Sequence, residues 1–85
     1  MNVKVNRINL VEEGNVKAFV DLIIEGWFVV KGVKVMDSQK GLFVAMPSKK
    51  GSDGKYYDTA NPISAEGRAE IDRVVMEAYN NAATK

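Results

Sequence analysis

With 85 residues, 12 basic against 11 acidic side chains and 46% hydrophobic content, the chain is long enough for one domain, residues 1–85, and too short for two. It has neither cysteine nor histidine, which excludes disulfides, thiolate metal sites and Ser-His-Asp or Cys-His catalysis. No apolar run approaches the roughly 20 residues that a bilayer requires, and Met1-Asn2-Val3-Lys4 has no apolar segment behind a basic start, so a cytoplasmic protein without membrane attachment is expected.

Val3 to Val11 reads as a strand whose apolar positions change parity, from Val3 and Val5 to Ile8 and Leu10. A strand cannot switch faces without an extra residue, so a bulge is expected near Asn6–Arg7. Glu12-Glu13-Gly14-Asn15 is a polar turn. Val16 to Glu25 is the clearest strand, with Val16, Ala18, Val20, Leu22 and Ile24 on one face; with the first strand it predicts an antiparallel hairpin. After a second turn at Glu25-Gly26, Trp27 to Asp37 is a third strand, apolar on both faces. One face suits a helix and the other a partner chain. Gly32 marks a bulge or a close backbone approach within it. Trp27 and Phe28 are assigned to the core, with a dimer contact as the alternative for Trp27.

Leu42 to Met46 is a short apolar strand stopped by Pro47, suited to a sheet edge. Ser48 to Lys55 reads as a polar loop with a turn at Asp53-Gly54, and Tyr56-Tyr57 starts a last short strand. Ser64 is a helix N-cap, and Glu66 suits the first turn. Ile71, Val74, Val75, Ala78 and Ala82 form one apolar stripe, with Glu66, Glu70, Arg73 and Glu77 outside it. Strands first and one helix last predict an α+β fold, a small antiparallel sheet of about five strands with the C-terminal helix packed on it. A chain this short buries only roughly 60–65% of its unfolded surface. Without disulfides, oligomerisation is the available reinforcement.

The charge is uneven. Residues 31–55 hold six lysines against Asp37 and Asp53, while residues 56–85 are net acidic. Lys49, Lys50 and Lys55 share one segment, Lys40 lies at the other end of the preceding strand, and Lys31 and Lys34 come from the strand before it. Ammonium groups gathered on one rim would attract phosphates by counterion release, and Tyr56 and Tyr57 would offer stacking surfaces to unpaired bases. A solvated lysine loop with tyrosines packed on the core is the alternative. The carboxylate pairs Glu12–Glu13 and Asp53–Asp58 fall in turn-like stretches where acidic residues are common. No phosphate-binding glycine loop or calcium loop is present. No enzyme, cofactor or small-molecule substrate is expected.

Gly-Leu-Phe-Val-Ala-Met-Pro-Ser-Lys-Lys at residues 41–50 closely resembles the signature of the stage V sporulation protein G family of bacterial regulators. Phe28-Val29-Val30 followed by Val33-Lys34-Val35-Met36-Asp37 is similar to the family's third strand. Asp53-Gly54-Lys55-Tyr56-Tyr57-Asp58 and Asn61-Pro62-Ile63-Ser64 resemble its later segments, and the likeness runs from residue 1 to about 80. The resemblance implies a cytoplasmic homodimer that binds DNA and RNA and regulates sporulation or septation. By position it implies Lys49 and Lys50 as the first nucleic-acid contacts, then Lys55 and Arg68, then Arg73. Typical members have Lys-Arg-Thr-Pro where this chain has Lys49-Lys50-Gly51-Ser52. A lysine at position 50 lacks the bidentate fork of arginine and favours phosphate over base contact. The family often has histidine where Asn61 stands, and many members carry an acidic tail that has no counterpart before Lys85. The competing reading is a protein-interaction adaptor that uses the sheet edge without touching nucleic acid.

Overall fold

The computed structural model describes residues 2–83; Met1, Thr84 and Lys85, where the reading of the N-terminus and the comparison with an acidic tail fall, lie outside them. Six strands precede one helix: β1 (Val3–Glu13), β2 (Val16–Ile24), β3 (Phe28–Ser38), β4 (Gly41–Ala45), β5 (Ser48–Lys50), β6 (Tyr56–Asp58) and α1 (Ala65–Ala83). The α+β expectation holds: an antiparallel sheet of several strands carries one C-terminal helix. The strands divide into a four-stranded antiparallel meander, β1-β2-β3-β4, and a separate β5-β6 hairpin.

The parity switch in β1 is a bulge. Val5 pairs with Leu22 and Arg7 with Asp21, leaving Asn6 without a partner in the ladder. The extra residue lets Val3, Val5, Ile8 and Leu10 all lie opposite the inward row Ile24, Leu22, Val20 and Ala18. A second shift falls between Leu10 and Glu13, at the end of the strand, where Leu10 is half exposed. In β3 the register shifts again around Gly32, between the pairs Val20–Val33 and Leu22–Val30. Gly32 has φ +87°, open to glycine and strained for other residues, and a side chain there would touch Pro47 Cβ at 3.4 Å. The bulge expected at this glycine is present, and Pro47 lies beside it.

The turn between β2 and β3 closes with Trp27 N–H donating to the Ile24 carbonyl at 3.0 Å. Its central residues, Glu25 and Gly26, both have positive φ, as primed hairpin turns require. Glu25 also fastens the chain's first described residue. Its N–H donates to the Asn2 carbonyl at 2.7 Å, and its carboxylate accepts the Asn2 N–H at 2.8 Å.

Helix α1 starts at the expected cap, where Ser64 Oγ accepts the Gly67 N–H at 3.0 Å. It packs on the inner face of the sheet, chiefly along β1, and also touches β3 and β4. Ile71 and Val75 are buried, with Val74, Met76 and Tyr79 packed beside them. They join Val3, Ala18, Val20, Leu22, Val33, Val35, Val44 and Met46 in one hydrophobic cluster, and no polar side chain of the described residues is buried. Each fully buried side chain of this kind contributes roughly 1.5–3 kcal/mol relative to exposure.

Trp27 and Phe28 correct the sequence reading. They are 84% and 71% exposed, outside the core. The alternation that put them in a strand does not reach the cluster, because they occupy the turn and the first position of β3, beyond the end of the helix-covered area. Among the described residues, no helix is long and apolar enough to cross a membrane.

Candidate nucleic-acid interface

The segment read as a polar loop contains a strand. Ser48, Lys49 and Lys50 pair with Asp58, Tyr57 and Tyr56, and every residue of both strands is exposed. The physical signal was the Asp53-Gly54 turn flanked by tyrosines, a favourable strand-forming pair. The lysines hid their half of the ladder, because a strand exposed on both faces shows no hydrophobic alternation.

The base of the hairpin is closed by the Pro47 carbonyl, which accepts from Thr59 N–H at 2.8 Å and from Thr59 Oγ1 at 3.2 Å. Pro47 itself is buried, beside the Gly32 bulge of β3. The hairpin base thus meets the sheet where Pro47 lies beside Gly32 of β3. Its tip is closed by Gly51 N–H to the Lys55 carbonyl at 2.7 Å and Gly54 N–H to the Gly51 carbonyl at 3.1 Å. Asp53 organises the turn: Oδ1 accepts the Lys55 N–H at 3.0 Å and Oδ2 accepts the Tyr57 hydroxyl at 2.5 Å. The Tyr57 hydrogen bond, with the Lys55 amide behind it, holds the Asp53 carboxyl below its ordinary value of 3.8. The same bond raises Tyr57 above 10.0, since losing the proton would set two negative oxygens against each other.

Lys49, Lys50 and Lys55 take part in no salt bridge among the described residues. Lys34 lies opposite Ala45, close to the Pro47 end of β4, and Lys31 adjoins Gly32, so both sit toward the hairpin base. Lys40 does not join them. It is in the turn at the far end of β4, about 17 Å away along five residues of strand.

The two helix arginines are differently placed. Arg68 donates through Nε to Asp72 Oδ1 at 3.1 Å and through Nη2 to the Val44 carbonyl of edge strand β4. Arg73 bonds Glu70 and reaches Glu77 at 3.5 Å. The Arg73 hydrogen bond lowers Glu70 from its ordinary value, and the same pairing raises Arg73. Their charge is already matched by carboxylates on the same helix, whereas that of the hairpin lysines is not.

A four-stranded meander carrying one helix, with a separate exposed hairpin that bears Lys49, Lys50 and Lys55, defines a small α+β protein. Residues 1–81 match the family described as SpoVG, and the chain belongs to that family. It is 43% identical over 83 residues to a protein of Lachnospira eligens, covering 96% of this chain and 94% of that one. It is 48% identical over 81 residues to one of Heliobacterium modesticaldum, covering 95% and 89%. A Myxococcus xanthus protein is 40% identical over 79 residues, covering 93% and 80%. All three are provisionally named septation protein SpoVG. No group of three or more His, Cys, Asp or Glu among the described residues could hold a metal ion.

Proposed function

We propose that this chain is a cytoplasmic, homodimeric regulator of gene expression that binds DNA or RNA through its β5-β6 hairpin. The supporting observation is the placement of Lys49, Lys50 and Lys55, three exposed cations without acidic partners among the described residues, on a ribbon closed at its base by the Pro47–Thr59 bond, where Pro47 lies beside Gly32 of β3. Such a ribbon can follow a phosphate backbone with little ordering cost, because its ladder and turn are already formed. Lys31 and Lys34 extend the positive field toward the sheet. Arg68 and Arg73 would contribute only where their carboxylate partners yield. The names of the relatives point to septation as the process served.

The dimer is supported by a separate surface. The fully exposed Ile63 lines an open apolar groove of about 270 Å³ together with Ile24, Val30, Met46 and Pro62 among others, and the exposed Phe28, next to Trp27, pairs with Ile24 of that lining. A patch that offers both projecting rings and a groove is suited to a two-fold contact, in which each copy fills the other. Exposed aromatics of this size are typical of interface centres.

Titration of short DNA and RNA at two salt concentrations tests the binding claim. Affinity should fall steeply with salt and collapse in the Lys49→Glu/Lys50→Glu double variant; no binding at low salt would refute it. Light scattering tests the dimer, and a monomer at micromolar concentration would refute that part. If nucleic acid fails to bind while a stoichiometric protein partner is captured through the Trp27 patch, the adaptor reading replaces this one.

A further inference from the structure

We infer that Tyr56 is a base-stacking platform and that the hairpin therefore selects unpaired nucleic acid over duplex. This rests on the nucleic-acid-binding reading and specifies its ligand.

The sequence offers two adjacent tyrosines, and the structure gives them different work. Tyr57 is committed to the turn. Its hydroxyl donates to Asp53, and its ring lies so close to Gly51 that a side chain there would come within 2.9 Å of Cε2. Tyr56 makes no such bond and is 70% exposed. It sits on a paired strand position, held by the ladder opposite Lys50. Cross-strand partners point to the same face, so an aromatic ring and an unpaired ammonium group lie side by side.

That pairing matches the two parts of a nucleotide. An exposed ring carried on a paired strand can stack on a base, while the neighbouring cation meets the phosphate. Asp58 and Ser48 share the same face further down the ladder. The Asp58 carboxylate repels phosphate, which confines the backbone to the Lys50 end. Stacking requires a free base face. In a duplex both faces of an internal base are covered by its neighbours, so Tyr56 would gain nothing there. Stacking is also indifferent to base identity, which fits a chain with lysine rather than arginine at position 50.

The experiment measures binding of the full chain to labelled single-stranded RNA, single-stranded DNA and duplex DNA of one sequence at low salt. The single strands should bind more tightly than the duplex. Tyr56→Ala should weaken single-strand binding by about 5- to 150-fold, the range a lost base stack implies, with duplex binding little changed. Tyr56→Phe should bind like the wild type, since the ring and not the hydroxyl does the stacking. Tyr56→Leu, which keeps apolar bulk on the strand, should behave as Tyr56→Ala does and guards against a misfolded alanine variant. Equal losses on single strands and duplex, or wild-type affinity in both Tyr56→Ala and Tyr56→Leu, would overturn the inference and leave the lysine-based reading intact. No binding of any nucleic acid by the wild type would overturn both.

Discussion

The Tyr57 hydroxyl donates a 2.5 Å hydrogen bond to Asp53 Oδ2, tying the outgoing strand of the hairpin to its own turn. Because Asp53 also accepts the Lys55 amide, one carboxylate sets the shape of the whole tip. Tyr57→Phe and Asp53→Asn should each quicken hydrogen exchange at the Gly51 and Lys55 amides without moving the melting temperature of the sheet. The pH dependence has two edges. The stabilisation from Asp53 is present above its unfolded value near 3.8 and is lost as pH falls through its lowered folded value. That from Tyr57 is present below 10.0 and is lost as pH rises through its raised folded value. Nuclear magnetic resonance titration of the Asp53 carboxyl and Tyr57 ring carbons would show both shifts; ordinary values for both would remove the link.

Gly32 carries the bulge against which Pro47 packs. Its φ of +87° should make Gly32→Ala cost about 1–2 kcal/mol in denaturant unfolding, from backbone strain alone. Gly32→Val should cost more and also disturb hairpin resonances, since its added methyls crowd Pro47. An alanine variant as stable as the wild type would contradict the strained conformation.

Leu22 is fully buried on inner strand β2, whereas Leu42 on edge strand β4 is exposed. Leu22→Ala should destabilise by about 2–5 kcal/mol, a large share of what a small protein has in reserve. Leu42→Ala should cost under about 1 kcal/mol. Thermal melts of the two variants side by side give the comparison, and similar midpoints would place the core elsewhere.

Arg68 and Lys50 are both basic residues of the candidate surface, yet they should respond oppositely to neutralisation. Arg68 is bonded to Asp72 and to the Val44 carbonyl, so Arg68→Met should lower stability by about 0.5–1.5 kcal/mol, and less to the extent that solvent screens the pair. It should leave the salt dependence of nucleic-acid binding nearly unchanged. Lys50→Met should leave stability unchanged and reduce the logarithmic salt slope by about 0.7–0.9. A slope that drops for Arg68→Met instead would move the phosphate contact to the helix.

Features with a local cause were legible in the amino-acid order. The parity switch at Asn6–Arg7 announced a bulge, Gly32 a break in β3, Ser64 a cap, and the Ile71–Val75 stripe the buried face of the helix. Each follows from periodicity or from a backbone conformation that one residue type prefers. The string at 41–50 was enough to indicate the family.

The segment 48–50 was not legible as a strand, because its partner lies across a turn and neither face is buried. Nor was the exposure of Trp27, since hydrophobicity records what a residue would gain by burial and not whether anything reaches it. The candidate surface belongs to this second group. The sequence by itself determined that the middle third is basic and carries two tyrosines. Tertiary structure alone decided that Tyr57 is bound to Asp53 while Tyr56 stands free beside Lys50, and that Arg68 faces a carbonyl while the lysines face solvent. The physical reason is that charge and ring type are properties of a residue, whereas availability depends on which groups distant in the chain come within bonding distance.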